Sequence, residues 1–177
     1  MNAPTAANIT TLPPEWRDEW SREIGRPLDV GIVAESVAML VFRLGAERFA
    51  LPAQVVVEIG HMPAMHRVPT RAATEVGLVN VRGRVTVCAS FVPLLQPLGE
   101  TGSADARLVV MQADKWLFAT RVDAIDGVHR LDLQALLPPP PPTNSGQFTT
   151  GLWTLAGHSI SRLDHQRLFA AVKESLS

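Results

Sequence analysis

The residues with the most chemistry to offer lie in one run of six, His61-Met62-Pro63-Ala64-Met65-His66. Two imidazoles and two thioethers so close together could hold a soft metal ion. Zinc sites use tighter cysteine and histidine motifs, however, and Pro63 interrupts the spacing here. The run reads as a surface loop, and no metal or other cofactor is expected. The remaining histidines are scattered. Asp164-His165 falls where a helix should begin, and an aspartate there is a good cap. Cys88 is the one cysteine and lies in an apolar, strand-like segment, so it reads as a small core residue. Nowhere does GxxxxGKS/T, a helix-opening GxGxxG, GxSxG or HExxH occur, so phosphate cradling, nucleophile-elbow and zinc-protease chemistry have no footing. No residue is assigned a catalytic role, and the chain reads as a non-enzyme.

Composition narrows the classes further. A chain of 177 residues, 46% hydrophobic and 19% charged, can bury a core and does not resemble a disordered segment. Sixteen basic against seventeen acidic residues leave a net charge of -1, which gives no footprint for nucleic acid or an anionic membrane. One cysteine fits a reducing compartment. The opening MNAPTAANITTLPPEW lacks a basic and an apolar signal region, and no apolar run is long enough to span a bilayer. A cytoplasmic protein is expected, with no direct membrane insertion.

The elements follow in order. Residues 1–12 are small and polar, a mobile tail. Pro13-Pro14 introduces EWRDEWSREI, in which Trp16, Trp20 and Ile24 make one apolar helical stripe that Gly25 and Pro27 end. This helix either packs on its own domain or docks a partner through Trp16 and Trp20. From Met39 the texture turns to strand. Met39–Leu44 and Arg48–Leu51 flank a Gly45-Ala46-Glu47 turn, and Val55–Ile59 follows. Gly77–Leu95 then supplies Val79–Val81 and Val85–Val87 around an Arg82-Gly83 turn, with Ser90 as a cap for a short helical turn.

This order repeats. At an offset of 74, Gly151–Phe169 lies on Gly77–Leu95 without a gap, placing Gly157 on Gly83 and Asp164 on Ser90. At an offset of 68, Leu108–Met111, Lys115–Ala119 and Val122–Val128 echo the earlier strands. The turn-rich Gly99–Asp105 separates the copies, Pro138–Pro142 makes a stiff polyproline spacer, and Leu163–Leu176 supplies a terminal helix. Five short strands per copy predict a mainly β protein of two pseudo-symmetric small barrels. The division expected is 1–37 for the tail and helix, then 38–177, with subdomains at about 38–100 and 105–177.

With the repeat in view, VFRLGAERFALPAQVVVEI followed by GLVNVRGRV resembles the CheW-type chemotaxis coupling proteins, and the related regulatory domain of the CheA histidine kinase. The family pattern is an opening hairpin, here Phe42–Pro52, a VxEI strand, here Val56–Ile59, and a hairpin carrying NxRG, here Gly77–Gly83. The resemblance runs over roughly residues 38–176. It implies two five-stranded, SH3-like β-barrels and a non-catalytic adaptor linking a chemoreceptor's cytoplasmic tip to a CheA-type kinase. Receptor-side positions carried over by motif are Val56, Glu58, Asn80 and Arg82, with Glu58 and Arg82 expected to pair across neighbouring strands. The second copy has Ala156 in place of Arg82, so the turn itself does not need arginine. Val87 and Ser90 stand where the family usually has proline and aspartate. That departure allows an alternative, an accessory coupling protein of a non-flagellar chemosensory pathway. An oligonucleotide-binding barrel is the further alternative; it would need basic grooves with exposed aromatics, and the chain has no tyrosine and no positive surplus.

Overall fold

The computed structural model describes residues 35–69, 75–139 and 144–176. The tail, the Trp16–Trp20 helix and Pro140–Pro142 lie outside the described residues.

A strand with apolar side chains on both faces must be covered on both, and Met39–Phe42 with Leu44 are buried. They belong to β1 (Ser36–Leu44), which turns at Gly45-Ala46 into β2 (Glu47–Pro52). Leu40, Phe42 and Leu44 enter one core cluster, while Met39 and Val41 enter another. There follow β3 (Val56–His61), the two-residue β4 (His66–Arg67), β5 (Val76–Val81), β6 (Arg84–Ala89) and the single turn α1 (Val92–Leu95). The second copy gives β7 (Arg107–Ala113), β8 (Trp116–Val122), β9 (Ala124–Asp132), β10 (Thr149–Leu155), β11 (His158–Leu163) and α2 (His165–Ser175).

These strands form two sheets, ordered β9-β1-β2-β11-β10 and β3-β7-β8-β6-β5-β4. Apart from β4, the orders match position for position once the copies are exchanged. Each sheet takes a single strand and the trailing hairpin from one copy, and the leading hairpin from the other. The β2–β11 and β6–β8 contacts that join the copies are parallel, and the rest are antiparallel. Periodicity assigned each copy five strands of its own. The leading hairpins instead cross over, because each has two apolar faces and can wall two interiors at once. Gly99–Asp105 therefore divides the repeat in the sequence, while both sheets draw strands from either side of it.

Three cores result. The largest lies between the sheets and takes Phe42, Phe49, Phe118 and Met111 from the crossed hairpins with Phe91 from the residue before α1 and Leu168, Phe169 and Val172 from α2. Each sheet also curls over a small interior: Met39, Val41, Trp153 and Ile160 in one, Val79, Cys88, Leu108 and Val110 in the other. Among the described residues no ladder joins the end strands of either sheet, so the expected barrels are not closed by backbone pairing. The hairpin turns match at an offset of 69, since Leu44↔Glu47 and Ala113↔Trp116 are the closing pairs. The bulge in β3, between Val56 and Glu58, has its counterpart opposite Val41–Phe42, in β9.

The repeated caps differ in detail. Asp164 Oδ1 accepts the Arg167 N–H at 3.1 Å and starts three turns of helix. Ser90, expected as the cap, sits one residue too early: Phe91 holds the N-cap position without a side-chain bond, Ser90 Oγ accepts the Val92 N–H at 3.2 Å, and α1 stops after four residues at Gln96, whose φ is 45°. The connection between the copies is pinned by a buried carboxylate. Asp123 accepts the N–H groups of Gly45 at 2.7 Å, Gly102 at 2.7 Å and Ser103 at 3.0 Å.

Candidate functional site

The NxRG stretch folds as the tight turn between β5 and β6. Arg82 and Gly83 both have positive φ, 50° and 82°, as a two-residue type I′ hairpin turn requires. Asn80 holds this turn, its Oδ1 accepting the Gly83 N–H at 2.7 Å. In the second copy Ala156 and Gly157 have φ of 49° and 78°. The same backbone thus forms with a methyl side chain, and the turn makes no use of the guanidinium.

That guanidinium reaches β3. Arg82 Nε donates to Glu58 Oε1 at 2.8 Å. Neighbouring strands were expected to carry this pair, and they do not. In the six-stranded sheet β7, β8 and β6 lie between β3 and β5. The curl of the sheet brings β3 back beside the β5–β6 turn, and the ion pair spans a gap that no ladder closes. The Arg82 side chain stays 80% exposed and that of Glu58 25%. Pairing fixes the arginine's direction and leaves most of its surface free.

Glu58, Asn80 and Arg82 are therefore brought together at this gap. Val56 is different: it pairs with Met111 and packs, half-buried, against the central core. The bulge turns Val57 outward, and it is Val57, Ile59 and Val85 that stand exposed, Val85 directly across the ladder from Asn80. Reading the sequence missed Val57. Its signal was the run of three valines, Val55 to Val57, which places apolar side chains on both faces and so puts at least one of them toward solvent on an edge strand. The strands and turn that carry the ion pair thus also carry exposed apolar side chains, a combination common at protein-binding surfaces.

The His61–His66 run is not wholly a surface loop. His61 and His66 are exposed, but Met62 and Met65 pack against the cluster that contains Cys88. Burial pushes the Cys88 thiol up to about 11, with Arg121 opposing, so it is a neutral side chain at ordinary pH. Among the described residues no three of His, Cys, Asp and Glu group together as metal ligands. An open groove, also not foreseen, runs between the β7–β8 turn and α2, where Trp116 stacks on Phe118 at 4.3 Å beside Phe169. Trp16 and Trp20, the other docking candidates, lie outside the described residues.

Comparison with known proteins follows the same division. A family model described as "CheW-like domain" matches residues 38–173. Among solved structures, the chain is similar to the scaffolding protein TtCheW from Thermoanaerobacter tengcongensis, at 23% identity and a TM-score of 0.65, over 76% of this chain and 88% of that one. At that identity the likeness speaks for the fold. No curated protein matches the chain.

Proposed function

Because the chain belongs to the CheW-like domain family, we propose that it is a non-catalytic adaptor of a chemosensory complex, coupling the cytoplasmic tip of a chemoreceptor to the regulatory domain of a CheA-type histidine kinase. The observation that carries this reading is the placement of Arg82. Its turn forms equally well around Ala156 in the other copy, yet here an arginine is aimed by Glu58 and left 80% exposed. A side chain that the fold does not need, oriented by Glu58 and left exposed, is suited to a partner. The receptor tip takes this surface, and the kinase domain takes the five-stranded sheet's side of the molecule. Among the described residues no helix is long and apolar enough to cross a membrane, so attachment to a receptor array would run through partners, from the cytoplasm.

The test is capture of a receptor signalling-tip coiled coil by the full chain and by Arg82→Ala, with a CheA-type regulatory domain as a second bait. Wild type should hold both baits, and the variant should lose the receptor tip alone. If neither bait binds wild type, the adaptor role fails; if the variant holds the tip unchanged, the site assignment fails.

A further inference from the structure

The two leading hairpins turn with the same backbone but have different neighbours. Gly45 and Asp114, equivalent at the offset of 69, have φ of 57° and 53°. In the first copy α1 ends at Gln96, in the left-handed region, and the chain doubles back over the turn. The Leu98 carbonyl accepts the Ala46 N–H at 2.7 Å, and the Leu98 N–H donates to Glu47 Oε2 at 2.9 Å. Gly45 leaves room for this, since a Cβ there would run into the Leu98 carbonyl. The second copy has Ala170 in place of Gln96, and α2 runs on to Ser175. Its turn carries the side chain of Asp114, and among the described residues no carbonyl bonds to Lys115 as Leu98 does to Ala46. What the chain covers in one copy is therefore an open groove of about 910 Å³ in the other. Trp116, in the place of Glu47, gives the groove a half-buried aromatic floor, stacked on Phe118. Lys115 and Lys173 line it against the carboxylate of Asp114.

We propose that this groove docks a short segment of a partner protein that carries one bulky apolar side chain flanked by carboxylates. The apolar side chain covers Trp116, since an aromatic floor in an open groove is the kind of anchor point on which binding energy concentrates. The carboxylates answer the lysines, and that complementarity sets which segments enter. A basic segment would meet like charge at Lys115, and one without an apolar anchor would leave the indole wet. The chain's own backbone does not supply the occupant as it does in the first copy, because Asp114 fills the space that Gly45 leaves for Leu98. None of the groove's lining residues belongs to the Glu58–Arg82 pair, so this docking site goes beyond the receptor surface and does not depend on it.

A phage library of random short peptides is selected on the full chain, and the enriched peptides are remade with a fluorophore and titrated by anisotropy. They should pair an aromatic or long aliphatic residue with aspartate or glutamate. Lys115→Glu and Ala170→Glu lie at exposed positions on either side of the groove. Both variants should melt like wild type and bind those peptides about tenfold or more weakly. Trp116→Ala should abolish binding, and Arg82→Ala should leave it unchanged. Enrichment of no such peptides, full affinity in the two glutamate variants, or loss of binding in Arg82→Ala would each overturn the proposal. So would a wild-type dimer, seen by sedimentation, that Ala170→Glu dissolves, since a second copy would then fill the groove. The glutamate variants decide the matter even if Trp116→Ala does not fold.

Discussion

The indole N–H of Trp153, on β10, donates to the backbone carbonyl of Asp132, on β9, at 2.8 Å. These strands are the two ends of the five-stranded sheet and share no ladder. Arg82 and Glu58 occupy the corresponding gap in the other sheet. In both sheets, then, a side chain spans the opening, but by unlike means. Trp153 is 2% exposed, packs among Met39, Val41 and Ile160, and has the Arg162 guanidinium 5.6 Å from its ring centroid. The Arg82 pair lies at the surface. One closure is part of a core and the other is available to a partner.

Replacing Trp153 should therefore weaken the fold. Trp153→Phe retains most of the apolar contact but leaves the Asp132 carbonyl without its donor, a loss of about 1–2 kcal/mol. Trp153→Ala also opens a cavity, and about 3–5 kcal/mol is expected. Urea unfolding followed by circular dichroism should rank the two variants in that order. Equal losses would mean that the hydrogen bond is not what matters at this closure.

Asp123 should make the protein acid-sensitive. Burial by itself would raise its pKa, but the N–H groups of Gly45, Gly102 and Ser103, helped by Arg121, hold it below the usual carboxylate range. A carboxylate with a depressed folded-state pKa stabilises the fold above its unfolded pKa of about 3.9 and loses that effect as pH falls through the folded value. Asp123→Asn should lower stability by about 2 kcal/mol at pH 7, and the difference from wild type should shrink steadily below pH ~4. Unfolding curves at several pH values check this; a constant difference would contradict it.

What could be read from residue order was whatever is local. The hairpin turn at Arg82-Gly83, its counterpart at Ala156-Gly157 and the Asp164 cap each depend on residues a few positions apart, and all three form. Met39–Leu44 was legible as an apolar strand, but which strands lie on its faces is a long-range choice, so the crossing of the hairpins was not visible. Asp123 went unnoticed as a linchpin for the same reason, since its N–H partners are 78, 21 and 20 residues away. The Glu58–Arg82 pairing came from the resemblance to CheW-type proteins. Periodicity placed both on an outward face and could not say that β3 would curl back beside the β5–β6 turn.

Two glycines in equivalent backbone regions should respond differently to alanine. Gly45 has a φ of 57°, and a Cβ there would run into the carbonyl oxygen of Leu98, the acceptor for the Ala46 N–H at 2.7 Å. Gly83 has a φ of 82°, with nothing within 4 Å of its Cβ position. Left-handed backbone alone costs an L-residue about 1–2 kcal/mol, so Gly83→Ala should lose about that much. Gly45→Ala should lose distinctly more, since backbone must move against backbone where the connection between copies is pinned. Thermal melts of the two variants decide it, and equal shifts would show that the connection yields.

At Glu58 and Arg82, fold and function should separate. An exposed ion pair contributes about 0–1 kcal/mol, so Arg82→Ala and Glu58→Ala should both unfold within about 1 kcal/mol of wild type. If Glu58 serves chiefly to aim Arg82, the two substitutions should weaken receptor-tip binding by overlapping rather than additive amounts. Each alone should cost about tenfold or more, and the double variant little beyond the worse single one. Val57→Asp places a charge among the exposed apolar side chains without touching the pair, and it should weaken binding while leaving the melt unchanged. Binding isotherms for the four variants give the coupling directly. Additive losses at Glu58 and Arg82 would mean that each contacts the partner independently, and the aiming role of Glu58 would then be discarded.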